Sequence, residues 1–355
     1  MQQYLASPTG YAPQSPPTVP ARAGAAQWLD FAVPADQNTV LIAKMGSQIQ
    51  ALASIHIEEL HLNDACNPLH PSFYDGTPRY DMVVFRGLVA GAGLAKQTIA
   101  PWRMATRHSK LGFRLNSIAT EATTFFVSDH ALITVRHSIH SAHASHALQT
   151  CAARCKADTS PHELMLRFLN NQVDAYLALR QPLTDTLDRW QRELLDPRRR
   201  FNDWAALLDA RLELRKLESL CEEQYEALGE LREAWSEPGA LPYNPESVAS
   251  LRVRLSDVME HIDRVLNHAR RLESSVESAI QLHFAAMSHQ TNRMVGALTL
   301  MTAVFAPLTL LTGFYGMNVP LPWQTEREAV FWIMAGMGAL VVGTLAAVFW
   351  LRRKP

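Results

Sequence analysis

GALTLMTAVFAPLTLLTGFY at residues 296–315 and AVFWIMAGMGALVVGTLAAVFWL at residues 329–351 are apolar runs without a single charged side chain, parted by the short polar stretch 316–328. A helix rises about 1.5 Å per residue, so about 30 Å of hydrocarbon asks for about 20 residues. Each run supplies that length, and both read as membrane spans, about 296–315 and 329–351, rather than as core helices.

The charges around the spans orient them, because basic residues stay on the cytoplasmic side. Arg270, Arg271 and Arg293 precede the first span and Arg352, Arg353 and Lys354 follow the second, whereas the connecting loop holds only Arg327, between Glu326 and Glu328. Both termini are expected in the cytoplasm. In a bacterial inner (plasma) membrane this leaves the loop 316–328 outside, and it places Cys66, Cys151, Cys155 and Cys221 in a reducing compartment where disulfides do not persist. Whole-chain figures conceal this division. A net charge of -1, 19% charged residues and a mean hydropathy of -0.08 over 355 residues average a wet part with a lipid part, and they give no footprint for nucleic acid.

Ahead of the spans the chain divides in three. Residues 1–26 are rich in proline and small side chains, lack the apolar core of a secretory signal, and are expected to form a disordered arm. Residues 27–150 mix patterns. Apolar spacing over 40–62 suits helices, while YDMVVFRGLVA (80–90) and TTFFVSDHALITVRH (123–137) are rich in β-branched and aromatic residues, the second reading as a hairpin turning at Ser128-Asp129-His130. Residues 151–292 read as a helical stalk. Ser160-Pro161 followed by Glu163 starts a helix that runs to about 195, a second runs from about 202 to 235, and Asn244-Pro245-Glu246 opens a third with no stop signal before the end of the first span. In that third helix Leu251, Leu255, Val258, Ile262, Val265, Ala269, Leu272, Val276 and Ile280 recur at steps of three and four, a seam that faces other helices. Residues 293–355 form the transmembrane domain.

Several short segments fall in order along that helix. They are Ser256-Asp257-Val258-Met259-Glu260-His261, Asn292, Leu298-Thr299, Phe305-x-Pro307-Leu308-Thr309 and Gly313-x-Tyr315-Gly316-Met317-Asn318. Set behind a long stalk and at the end of the first of two terminal spans, they resemble the CorA-type divalent-cation transporters, whose two spans are joined by a loop opening with Gly-Met-Asn. The resemblance implies an α/β cytoplasmic domain followed by a long all-α stalk and two transmembrane helices, assembled as a homopentameric funnel in a bilayer. It implies no enzyme and no cofactor, with a divalent cation as substrate and regulator.

The resemblance also assigns roles to residues. Gly316, Met317 and Asn318 become a selectivity filter, with the Asn318 amide oxygen accepting hydrogen bonds from a hydrated ion. Asn292, Val295, Thr299, Thr302, Ala306, Thr309, Gly313 and Gly316 recur at steps of three and four as a stripe of small or polar side chains opposite Leu300, Val304, Leu308, Leu311 and Phe314, and the resemblance makes this stripe, with Leu298, the pore lining. Small residues in a span also serve simply to let helices approach closely. Glu326 and Glu328 would concentrate cations at the mouth. Asp257 falls where the family places a stalk acid that binds regulatory metal between subunits; its other reading is a solvated stalk residue.

Departures bear on the ion. Val295 and Gly296 stand where Mg²⁺ carriers of the family usually have Met and Lys, and the loop VPLPWQTERE has no acid before Glu326. These point to the family's ZntB-like zinc branch, while the intact Tyr-Gly-Met-Asn points to the Mg²⁺ and Co²⁺ branch. Zinc is the expected ion, with Mg²⁺, Co²⁺ or Ni²⁺ uptake as the alternative. A second cluster, His137, His140, His143, His146, Cys151 and Cys155, has zinc-ligand chemistry, but steps of three drift around an α-helix, so the histidines do not converge on a regular one. A polar connector with a buried cysteine pair is the reading adopted; a zinc-sensing patch is the other. An anchor-only scaffold or sensor would need no polar stripe, and no Walker loop or nucleophile motif points to an enzyme.

Overall fold

The computed structural model describes residues 2–7, 10–14, 26–33, 39–89, 118–137, 149–150, 153, 155, 159–194, 204–317, 331–332, 334–339, 341–343 and 346. The chain forms two compact units, Met1–Ser278 and Ala279–Pro355. Their boundary falls inside one helix, so the helices expected as a separate stalk share the first unit with the sheet.

The strands are β1 (Gln2–Ser7), β2 (Gly10–Gln14), β3 (Gln27–Val33), β4 (Phe73–Gly76), β5 (Asp81–Leu88), β6 (Thr120–Val127) and β7 (Ala131–His137), with helices α1 (Thr39–Ala53) and α2 (Glu59–Ala65) between β3 and β4. They form one seven-stranded sheet in the order β2-β1-β3-β7-β6-β5-β4. Every pairing is antiparallel except β3 with β7, where Trp28 lies opposite Leu132 and Asp30 opposite Thr134. The expected hairpin closes at Ser128, whose amide donates to the Ala131 carbonyl at 2.9 Å.

The arm expected to be disordered is corrected where it is described, since Gln2–Ser7 and Gly10–Gln14 are strands. Strand β1 is held by pairing with β3 and by the Tyr4 ring, which stacks on Trp28 at 4.2 Å, and β2 is held by pairing with β1. Pro13, which has no amide proton to give, is accommodated because β2 is an edge strand.

Both faces of the sheet are covered, which is why β7 is buried at every position rather than at alternate ones. One face packs Leu29, Phe31, Met82, Val84, Phe126 and Ile133 against Ile42, Met45 and Ile49 of α1 and Leu62 of α2. The other face meets α3 (Pro161–Leu194) and α4 (Trp204–Ala234). Trp28 touches Phe168 of α3 at 5.0 Å, and Tyr176 of α3 and Gln224 of α4 both donate to the Arg86 carbonyl at 2.7 Å. Within this face Asp30 and Arg136 form a buried ion pair. Thr134 donates a third hydrogen bond to Asp30 at 2.7 Å, so neither charge is left without compensation.

The helices begin where the chain provides caps. Ser160 accepts from the Glu163 amide ahead of α3, and Asn244 accepts from the Ser247 amide at 2.8 Å ahead of α5 (Pro245–Tyr315). In α5 every predicted seam residue from Leu251 to Val276 is buried, followed by Ala279, with Ile280 partly covered. At 71 residues α5 is one continuous helix. Among the described residues it is also the one helix long and apolar enough to cross a membrane, by length and composition. The helical residues described between 331 and 346 lie within the predicted second span; the rest of that span lies outside the described residues.

His162, at the head of α3, shares a hydrogen bond of 2.8 Å between its Nδ1 and the Tyr243 hydroxyl and packs edge-on against Trp235. Burial pushes its imidazole down to about 4, from an ordinary value of 6.5, so the folded chain holds it neutral. Between those values the unfolded chain binds the extra proton. The contribution of His162 is therefore complete above pH 6.5 and is lost as pH falls toward 4, at about 1.4 kcal/mol per pH unit, or roughly 3 kcal/mol across the window. Thermal melts of the full chain should show this slope, and His162→Phe, which keeps the ring but cannot titrate, should flatten it.

Candidate functional site: a polar stripe on the membrane-length helix

The last turns of α5, in the second unit, present two faces. Asn292, Val295, Leu298, Thr299, Thr302, Ala306, Thr309 and Gly313 are all exposed. At 3.6 residues per turn they occupy an arc of about 120°. Opposite them Leu300, Val304, Leu308 and Leu311 are partly covered, joined by Gly296 and Pro307, while Phe314 remains exposed. Thr302, Ala306, Thr309 and Gly313 share an open groove of about 840 Å³ with Met301, Phe305 and Leu310. The reading of the sequence omitted these large apolar neighbours; their spacing relative to the stripe would have placed them on its flank.

The threonines carry the chemistry. Each hydroxyl donates to the carbonyl four residues back, Thr299 to Val295 at 2.8 Å, Thr302 to Leu298 at 3.0 Å and Thr309 to Phe305 at 2.8 Å. A hydroxyl has one proton and two lone pairs. With the proton directed into the helix, what the side chain offers outward is acceptor capacity, which suits the protons of water around a cation and repels an anion. The same bonds let a polar side chain exist on a lipid-length helix without an unsatisfied donor.

Pro307 interrupts neither the helix nor the stripe, although its missing amide leaves the Ala303 carbonyl without its usual partner. The helix ends at Gly316. Its amide donates to the Thr312 carbonyl at 2.9 Å, and a Cβ at this position would lie 2.9 Å from the same oxygen, a contact that only glycine avoids. Met317 follows, exposed. Asn318, Glu326 and Glu328 lie outside the described residues.

Asp257 is on the exposed side of α5 in the first unit. Its carboxylate is 3.7 Å from His261 and borders a shallow polar pocket with Asn170, Asn171, Asp174 and Arg254. Of the histidine and cysteine cluster, His137 is buried at the end of β7 and Cys155 is buried; His140, His143, His146 and Cys151 lie outside the described residues. Burial, with Arg86 nearby, holds the His137 imidazole below its ordinary value. Among the described residues no three His, Cys, Asp or Glu side chains come together as a metal site.

The fold and the sequence around it have known relatives. Cobalt/magnesium transport protein CorA of Thermotoga maritima is 24% identical over 197 residues, which cover 54% of this chain and 52% of that protein. Magnesium transporter ALR1 of Saccharomyces cerevisiae is 23% identical over 123 residues, covering 32% and 14%. The chain thus spans about half the length, or less, of the curated relatives it matches. The structure of the CorA magnesium transporter from Methanocaldococcus jannaschii has the same fold, with a TM-score of 0.70 at 16% identity over 100% of this chain and 98% of that one. The family described as CorA-like Mg2+ transporter protein matches residues 113–353, which include the hairpin, the three long helices and the stripe, and the chain belongs to that family of transporters.

Proposed function

We propose that five copies of this chain surround an axis with the α5 stripe facing inward, and that the assembly moves hydrated divalent cations across a membrane. The observation that carries this reading is the stripe: an exposed, acceptor-rich arc on a helix of membrane length, with its hydroxyl protons already used. Facing lipid, such an arc would waste its polarity; facing an axis, it becomes stacked rings of acceptors. The stripe holds no carboxylate. A bare Mg²⁺ demands near-octahedral oxygen ligation and gives up its waters reluctantly. The cargo in this reading keeps much of its hydration shell.

Asn318 supplies the ring at the outer end, accepting from that shell without the fixed charge that would trap the ion. Gly316 keeps the backbone close to the axis, Met317 packs behind the ring, and Glu326 and Glu328 raise the cation concentration at the mouth. The assembly sits in a bacterial inner membrane with both termini cytoplasmic and the loop 316–328 outside. The named relatives are cobalt/magnesium and magnesium transporters, which supports Mg²⁺ or Co²⁺ as cargo over the zinc suggested by Val295, Gly296 and the short loop. Asp257, exposed and beside a second acid at Asp174, is the regulatory metal ligand in this reading.

Two substitutions test it. Proteoliposomes carrying Asn318→Ala should lose uptake of Mg²⁺, Co²⁺ and Zn²⁺ by orders of magnitude, because each lost hydrogen bond to a charged species is worth about 1.5–3 kcal/mol. The oligomer should remain intact. Uptake at the parental rate would remove Asn318 from the path, and the parental ion ranking decides between Mg²⁺ and Zn²⁺. For Asp257→Ala, protection from protease by millimolar Mg²⁺ should weaken; unchanged protection returns Asp257 to an ordinary solvated residue.

A further inference from the structure

The contact between α4 and α5 has two layers of information, and only one of them specifies register. Its apolar layer is repetitive. On α4 the buried positions are 207, 210, 214, 217, 220, 221, 224, 227, 228 and 231, with 235 just beyond its end, and on α5 they are 251, 255, 258, 259, 262, 265, 266, 269, 272, 276 and 279. Each series contains an alternation of threes and fours, and the additional positions, 220 and 227 on α4 and 259 and 266 on α5, are themselves seven residues apart. A seam of that kind meets itself again after seven residues, about 10 Å along the axis, so apolar burial alone discriminates weakly between settings.

The second layer is charged and does not repeat. Arg211 reaches Glu277 at 3.6 Å and Glu273 at 3.3 Å, and Arg215 reaches Glu273 at 2.8 Å. One turn further along, the signs reverse: Arg270 of α5 bridges Glu218 at 2.8 Å and also pairs with Glu222. Partner numbers rise on α4 as they fall on α5, as antiparallel helices require. Thus α4 presents two positive then two negative side chains, and α5 answers with two negative side chains and then Arg270, which serves both acids. Sliding either helix by one heptad would set Arg211 against Arg270, or Glu218 against Glu277.

We infer that this sign-alternating zipper is a register lock, with Arg270 as its positioning residue, which admits one axial setting of α5 against α4 and penalises the neighbouring settings by like-charge contact. Exposed ion pairs contribute little to stability individually, so the function of the array lies in discrimination rather than in strength. Its placement fits that role. Gln224 and Trp235 tie α4 to the sheet through the Arg86 carbonyl and Asp81. The zipper ends at Glu277, one residue before the first unit ends at Ser278. On the other side of α5, Thr184 meets His268 at 3.1 Å, Gln191 donates to Ser275, and Arg254 pairs with Glu163 of α3 at 3.3 Å, a single ion pair without the alternation of sign.

The test is a distance measured by pulsed electron resonance between spin labels at the exposed positions Leu212 and Val253, in full chains diluted among unlabelled ones. The parent should give one distance at low salt. Arg270→Glu should add a population shifted by about 5–10 Å, one turn to one heptad, and molar salt should restore much of the parental distance in that variant by screening its new repulsion. Inverting every sign of the array (Arg211→Glu, Arg215→Glu, Glu218→Arg, Glu222→Arg, Arg270→Glu, Glu273→Arg and Glu277→Arg) keeps the alternation and should return the single parental distance, which also shows that the variants fold. An unchanged single distance in Arg270→Glu, or a sign-inverted chain that keeps the shifted population, would overturn the lock.

Discussion

In hydrocarbon a helix must satisfy its own polar groups, and that constraint organises α5. Its backbone does so by being helical, and its threonines by returning their protons to carbonyls four residues back. What remains unsatisfied is directional: a row of lone pairs on one arc, with Leu300, Val304, Leu308 and Leu311 partly covered on the other. The function proposed here is the consequence of giving that arc something polar to face.

The first unit serves this helix by holding its head. Sheet strands buried on both faces give α3 and α4 a rigid floor, and two side chains meeting at the Arg86 carbonyl, Tyr176 and Gln224, fix where those helices lie on it. Helix α5 then packs along them by a repetitive seam. Buried polar groups supply the specificity that apolar area lacks: the Asp30–Arg136 pair joins the two parallel strands, and His162 joins α3 to the turn before α5 through Tyr243. Each is costly to bury alone and is satisfied only in one arrangement.

Local signals made part of this legible in the sequence. Ser160-Pro161 and Asn244-Pro245 are caps readable from neighbouring residues, and α3 and α5 begin where they stand. The hairpin turn at Ser128 is local in the same sense, as is the amphipathic step pattern of α5. Long-range pairing was not readable. Gln2–Ser7 and Gly10–Gln14 looked too proline-rich to fold because the pair is anchored only through Gln2–Ser7, on the edge of β3 and the face of Trp28, neither of which adjoins it in sequence. The Asp30–Arg136 pair spans 106 residues and the Arg215–Glu273 contact 58, so no window of sequence holds both partners. The threonines of the stripe were found by spacing, but the direction of their protons, on which the chemistry depends, is a matter of side-chain geometry.

Whether the arc faces water decides the account. Single cysteines placed in turn at positions 299 to 313, in a background lacking Cys66, Cys151, Cys155 and Cys221, can be probed in liposomes with a small, charged, membrane-impermeant thiol reagent. The account predicts rapid modification at Thr299, Thr302, Ala306, Thr309 and Gly313 and protection at Leu300, Val304, Leu308 and Leu311, a period of 3.6 residues centred on the stripe. Uniform protection, or a reactive arc centred on the leucines, would contradict it.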